Sequence, residues 1–248
     1  MIVSFKILLY KKHYSNLKMK QVEKMYTMAF DTTGNGCSIA LLKDGKVLDV
    51  YEKRSEFGQA EFLIPQMKEI LAKNEVSFSD IETLFVCVGP GSFTGVRSGI
   101  AAAKVFQLAS RKLVTVGVSA FEAYAESFEE KELSEINAVI IETKRDDFYV
   151  QLFDKNRKEL IEPEVMVYED LLKILKNKGV TISVCGDGVE RFLSQPSGLS
   201  LHAVKLNDMV PIKCLALAGL KKLKDKKINY PKPLYLRAPE VSMPKNKN

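Results

Sequence analysis

From Tyr26 onward, apolar positions fall into short runs with period two and longer ones with helical spacing. Residues 26–30, 37–42 and 47–51 predict three strands, the last two joined by a hairpin at Asp44-Gly45. In 57–73, Phe62, Leu63, Met67, Ile70 and Leu71 share roughly one helical face, and Pro65 is expected to kink that helix or open its second half. Residues 84–88, LFVCV, form an unbroken apolar run, the pattern of a strand buried on both faces. GPGSFTGVRSGIAAAK follows at 89–104, so the segment reads strand, glycine loop, helix, the helix running over 95–111. A strand at 112–118 leads to Ser119-Ala120-Phe121-Glu122, whose capping-box spacing starts a helix to Ser127.

The charged stretch 129–135 is the expected domain boundary, and beyond it the scheme recurs in degraded form. Strands are expected at 138–141, 148–153, 165–167 and 182–185, and helices at 168–178 and 211–224, the latter opened by Pro211. Strands in sequence, then alternating helix and strand, twice over, predict two related α/β units.

Charge changes the picture only at the ends. Residues 1–25 hold six Lys against one Glu, and 221–248 hold nine Lys/Arg against Asp225 and Glu240. The body between carries 22 basic and 28 acidic residues, so the net charge of +6 is no general nucleic-acid signature. The lysines of 221–227 are a solvated tail or, as a weaker reading, a direct contact to nucleic-acid phosphates. Residues 1–25 read as a disordered extension or a misassigned start, and 242–248 as a basic tail. No apolar run approaches the length that spans a bilayer, so no membrane partner is expected.

The candidate chemistry is sparse. Four cysteines at 37, 87, 185 and 214 form no CxxC, and His13 and His202 are the only histidines, so no zinc or HExxH site is expected. Cys87 reads as a small core residue, fitting a reducing cytoplasm. The glycine loop suits an anion, a phosphate or a second backbone, with Thr94 placed to cap the helix, but it matches neither the P-loop nor GxGxxG. Asp31, Thr32, Gly89, Gly91, Ser92, Thr94, Gly95 and Arg97 are the candidates for anion or nucleotide contact. A strand ending in Asp31 before a glycine turn resembles the phosphate-receiving end of ribonuclease-H-like units, or is a plain hairpin. A phosphotransferase or ATPase would need a second such loop, and Gly186-Asp187-Gly188 is the candidate. Small residues at Ser98, Gly99, Ala101, Ala102 and Ala103 predict that another element comes very close, either the sheet beneath or a partner helix.

The glycine run, AFDTTGNGCSIALL at 29–42 and PLYLRAPEV at 233–241 together resemble the TsaB/YeaZ family, with TKRDDFY at 143–149 a looser match to its Asp-Ala-Arg-Arg stretch. The resemblance covers about 26–241 and implies a duplicated, ribonuclease-H-like, actin-like (ASKHA) α/β fold with two mixed-sheet units, 26–130 and 131–241. It also implies a subunit without catalysis of its own or a required cofactor, the ATP being used by the partner complex. Such subunits pair with a catalytic TsaD-type protein, joined by a TsaE-type ATPase, or self-pair when alone. TsaD then threonylcarbamoylates the adenosine next to the anticodon in tRNAs reading codons that begin with A, so tRNA is met only through the complex. Catalytic relatives hold metal through a histidine pair on the first helix, and FGQAEFLIP at 57–65 has none. By resemblance the pairing surface lies on the helices at 57–73 and 95–111, with Phe62, Leu63, Met67, Val96, Ser98, Gly99, Ala102 and Ala103 as interface residues. Gly99→Arg or Ala102→Arg is then expected to abolish pairing with the fold intact.

Overall fold

Strand β1 (Tyr26–Asp31) turns Met28 and Phe30 to one side and Ala29 to the other, and all three are fully buried. A strand apolar on both faces must lie at the centre of a sheet covered twice. The computed structural model, which describes residues 25–55, 59–110, 112–176, 181–204 and 208–237, shows that arrangement. The extension before Met25 and the tail 242–248 lie outside the described residues.

β1 pairs antiparallel with β2 (Gly36–Lys43), which pairs with β3 (Lys46–Arg54), and parallel with β4 (Ile81–Cys87), which pairs with β5 (Val114–Val118). The sheet order is therefore β3-β2-β1-β4-β5. The second sheet repeats it as β8-β7-β6-β9-β10, built from Ile136–Glu142, Asp147–Phe153, Glu164–Val167, Ile182–Cys185 and Leu201–Ala203 as β6 to β10. Parallel and antiparallel pairings fall at the same places in both. The duplicated mixed-sheet α/β fold expected from the sequence is thus the one observed.

Helices α1 (Gln59–Lys73) and α2 (Phe93–Ala109) cover the outer face of the first sheet, where Leu63, Met67, Val96 and Ile100 pack on Phe30, Ile39 and Val86. Helix α1 runs through Pro65 without a break. Helices α4 (Tyr168–Lys176) and α5 (Val189–Leu193) cover the outer face of the second. The short α5 and strand β10 were not anticipated from the pattern.

Between the sheets lie α3 (Ala120–Ala125) and α6 (Ile212–Lys224), the helices that end each unit. Each is lent across: α3 packs on β6 and on α6, while α6 packs on β1, β2, β4 and β5. The expected capping box forms, Ser119 Oγ accepting from Glu122 N–H at 3.0 Å and Glu122 Oε2 from Ser119 N–H at 2.7 Å. Arg157, on the turn after β7, donates to the carbonyls of Ala125 and Phe128 at 3.2 and 2.7 Å, satisfying acceptors just beyond α3. The two units thus share one central core.

Candidate functional site

The glycine loop is built against the turn after β1. Gly91 takes φ +154°, and a Cβ there would collide with the Thr33 carbonyl. Ser92 N–H donates to the Thr33 carbonyl at 2.7 Å, and the Thr32 hydroxyl donates to the Gly95 carbonyl at 2.8 Å. A Cβ at Gly95 would strike the Thr32 carbonyl, so helix α2 is seated by its own glycines on the β1 turn. The helix cap corrects the expectation of Thr94: Ser92 Oγ accepts from Gly95 N–H at 3.2 Å, while Thr94 faces solvent.

Asp31 is 1% exposed, and its carboxylate accepts from the Thr33 amide at 2.9 Å and the Thr33 hydroxyl at 2.6 Å. Burial raises its pKa above the ordinary value, and the Thr33 bonds only partly oppose that. Its acceptor capacity closes the turn. Burial likewise pushes the Cys87 thiol well up, as expected of an inert core cysteine.

The second unit uses the same device. A Cβ at Gly186 would collide with the Ile140 carbonyl, Gly188 N–H donates to that carbonyl at 3.0 Å, and Asp187 Oδ1 accepts from Glu142 N–H at 2.9 Å. Glu142 in turn takes a two-pronged contact from Arg191, at 2.7 and 2.8 Å. Burial lifts Glu142, but the Arg191 bonds and the Lys144 amide outweigh it and hold the carboxyl below its usual range. Burial lifts Asp187 to about 7 despite the Glu142 amide, and the nearby Glu142 carboxylate pushes the same way.

These turns enclose a cavity of about 270 Å³ between the units, lined in part by Thr33, Ser92, Glu142, Thr143 and Asp187. A second of about 340 Å³ adjoins it, sharing Pro90, Gly91, Thr143 and Tyr149. The anion candidates divide accordingly. Thr32, Gly91 and Gly95 hold the loop against the β1 turn, Asp31 closes that turn through Thr33, Ser92 caps the helix at the cavity wall, and Gly89 makes the bend. Arg97 points outward, its guanidinium 3.6 Å from the Phe93 ring centroid. Among the described residues no group of three His, Cys, Asp or Glu side chains could hold a metal.

The interface candidates divide too. Leu63, Met67, Val96, Gly99 and Ala103 are buried in the unit's own core, and Phe62, Ser98 and Ala102 are half-buried beside it. Gly99 faces the Thr32 hydroxyl, 2.8 Å from where its Cβ would be, and Phe30. The close neighbour implied by the small residues is therefore this chain's own β1 and its turn. The outward face of α2 instead carries Arg97, Ala101, Lys104, Val105 and Leu108, with Val105 62% and Leu108 83% exposed, and Ile64 stands out from α1. Helical spacing alone, reading i, i+4, i+8 from Arg97, picks out Ala101 and Val105 on that face.

The family model described as tRNA N6-adenosine threonylcarbamoyltransferase, TsaD, matches residues 59–209. The tRNA threonylcarbamoyladenosine biosynthesis protein TsaB of Escherichia coli K12 is 28% identical over 229 residues, 86% of this chain and 95% of that protein. The chain belongs to the TsaD family, as a TsaB/YeaZ member. The TsaB of Bacillus subtilis 168 is 24% identical over 192 residues, 76% of this chain and 78% of the relative. The crystal structure of YeaZ from Pseudomonas aeruginosa shares the fold of this TsaB/YeaZ chain, with a TM-score of 0.70 at 22% identity over 86% of the chain and all of YeaZ.

Proposed function

We propose that this TsaB/YeaZ chain serves tRNA threonylcarbamoyladenosine biosynthesis as a non-catalytic subunit that docks on a TsaD-type catalytic partner through the outer face of α1 and α2. The observation that carries the docking surface is the exposure of Val105 and Leu108 on a helix whose other face is bolted to the sheet. The TsaB relatives, matched over most of their length, support the pathway. The reading as a non-catalytic subunit draws on polar groups already engaged within the chain: Asp31 accepts from the Thr33 amide and hydroxyl, and the Ser92 amide of the glycine loop donates to the Thr33 carbonyl. In this reading the chain requires no cofactor, a TsaE-type ATPase joins the pair and consumes ATP there, and tRNA is met through the complex.

Reconstitution tests it. The purified chain, a TsaD-type subunit, a TsaE-type ATPase, threonylcarbamoyl donor and tRNA should yield the modified adenosine by mass spectrometry, and omission of this chain should abolish it. Full modification without the chain, or failure of the two subunits to co-purify, would sink the proposal.

A further inference from the structure

Helix α2 carries Arg97 and Lys104 and no carboxylate, and residues 229–237 carry Lys232 and Arg237 and no carboxylate, on a body with 22 basic against 28 acidic residues. The structure lays these two elements side by side. Gly117 N–H donates to the Asn229 carbonyl at 3.0 Å and Leu234 N–H to the Val88 carbonyl at 2.8 Å, fixing the segment along the edge of β5 and under the glycine loop. Tyr235 packs on Phe93 with ring centroids 5.1 Å apart, and its hydroxyl accepts from Arg97 Nε at 3.0 Å. The Lys104 ammonium lies 6.0 Å from the Tyr230 ring centroid. Arg237 pairs with Asp147 on β7, tying the far end to the second unit. Tyr230 and Tyr235 are still 38% and 41% exposed, flanking the helix that bears Val105 and Leu108. Among the described residues, none of the salt bridges involves Arg97, Lys104 or Lys232.

We infer that residues 229–237 form the second half of the docking face, and that this face fits a TsaD-type surface with carboxylates set around an apolar centre; the inference rests on the docking reading above. Tyrosine and arginine held in place before contact lose little side-chain freedom on binding, and both are over-represented among residues that dominate interface energy. Charge decides the occupant. A second copy would bring the same basic rim of Arg97, Lys104 and Lys232 with no carboxylate to answer it, so a carboxylate-bearing partner surface suits the face better than a second copy. An RNA backbone would answer the charges but leave Val105 and Leu108 uncovered, whereas an apolar centre with a polar rim is the anatomy of a protein contact.

The test measures affinity and association rate for the purified TsaD-type subunit at low and high salt, with circular dichroism checking each variant's fold. The double variant Lys104→Glu/Lys232→Glu should bind on the order of tenfold more weakly, mainly through slower association, and with a flatter salt dependence. Tyr235→Ala should lose on the order of tenfold through faster dissociation. Unchanged affinity in both, while Leu108→Glu still abolishes binding, overturns the inference and leaves the docking reading standing. Unchanged affinity in Leu108→Glu as well overturns both. A loss confined to tRNA affinity, or to self-association of the free chain, with subunit affinity intact, also overturns it.

Discussion

Gly219 on α6 sits directly over the ring of Phe85 in β4, so close that a Cβ would overlap three of its ring carbons. Phe85 is fully buried at the middle of the first sheet and cannot swing aside. Glycine inside a helix costs about 1 kcal/mol against alanine, so intrinsic propensity favours Gly219→Ala. Overpacking a rigid core costs about 1–3 kcal/mol and should win. Gly219→Ala is expected to lower the urea midpoint, and Gly219→Val to cost about 3 kcal/mol, with the slope of the transition unchanged.

The same logic separates two substitutions on α2. Gly99→Arg, which the family resemblance assigns to a partner surface, drives a side chain into the Thr32 hydroxyl and Phe30. It should cost about 3 kcal/mol or more, visible as a lowered melting temperature before any binding is measured. Leu108→Glu, on the opposite face at 83% exposure, should leave stability within about 0.5 kcal/mol and remove partner binding. Equal melting temperatures for Gly99→Arg and the parent protein would show that the helix is not seated as described.

The contrast shows where sequence reading succeeds and where it stops. The strands of both units, β10 excepted, follow from apolar runs and turn residues, because each local choice agrees with the fold. The Ser119–Glu122 capping box was legible because its bonds span three residues. The small residues of α2 announced a close neighbour but not which one, since the collision of Gly95 with Thr32 joins positions 63 residues apart, the separation of the Thr32–Gly95 hydrogen bond. The lending of α3 and α6 across the units left no local signature. Nor did the Arg191–Glu142 and Arg237–Asp147 pairs, which depend on the duplicated turns meeting.

Two neighbouring lysines of α6 should behave differently. Lys222, 16% exposed at its side chain, donates to the Gly117 carbonyl at 2.9 Å and to Glu122 at 2.8 Å, pinning α6 to β5 and α3. Lys222→Met would remove this donor from the Gly117 carbonyl and leave the half-buried Glu122 carboxylate with its Ser119 bonds but no cation, at a cost of about 2 kcal/mol. Lys221 pairs with Glu126 from a 49% exposed position, and Lys221→Ala should cost about 0.5 kcal/mol or less. Both lysines are engaged within the chain, so their loss should register in thermal unfolding. A larger loss for Lys221→Ala than for Lys222→Met would contradict this geometry.

Asp187 gives the fold a pH dependence of unusual sign. Its folded pKa, about 7, lies above the ordinary 3.8, so the native state binds the proton more tightly than the unfolded chain does. Its contribution is therefore greatest under acid conditions and declines as pH rises from about 4 to about 7, after which it is level. Glu142, held low by Arg191, works the other way, but only where acid protonates that carboxyl. Between about pH 5 and pH 7 the Asp187 slope should stand out, with the melting temperature falling as pH rises. Asp187→Asn keeps an oxygen to accept from the Glu142 amide and removes the titration. That variant should show a flatter profile and a smaller stability deficit at the alkaline end. A parent profile that climbs through this window, or one unaltered by Asp187→Asn, would mean that the cavity wall leaves Asp187 as hydrated as an ordinary surface carboxylate.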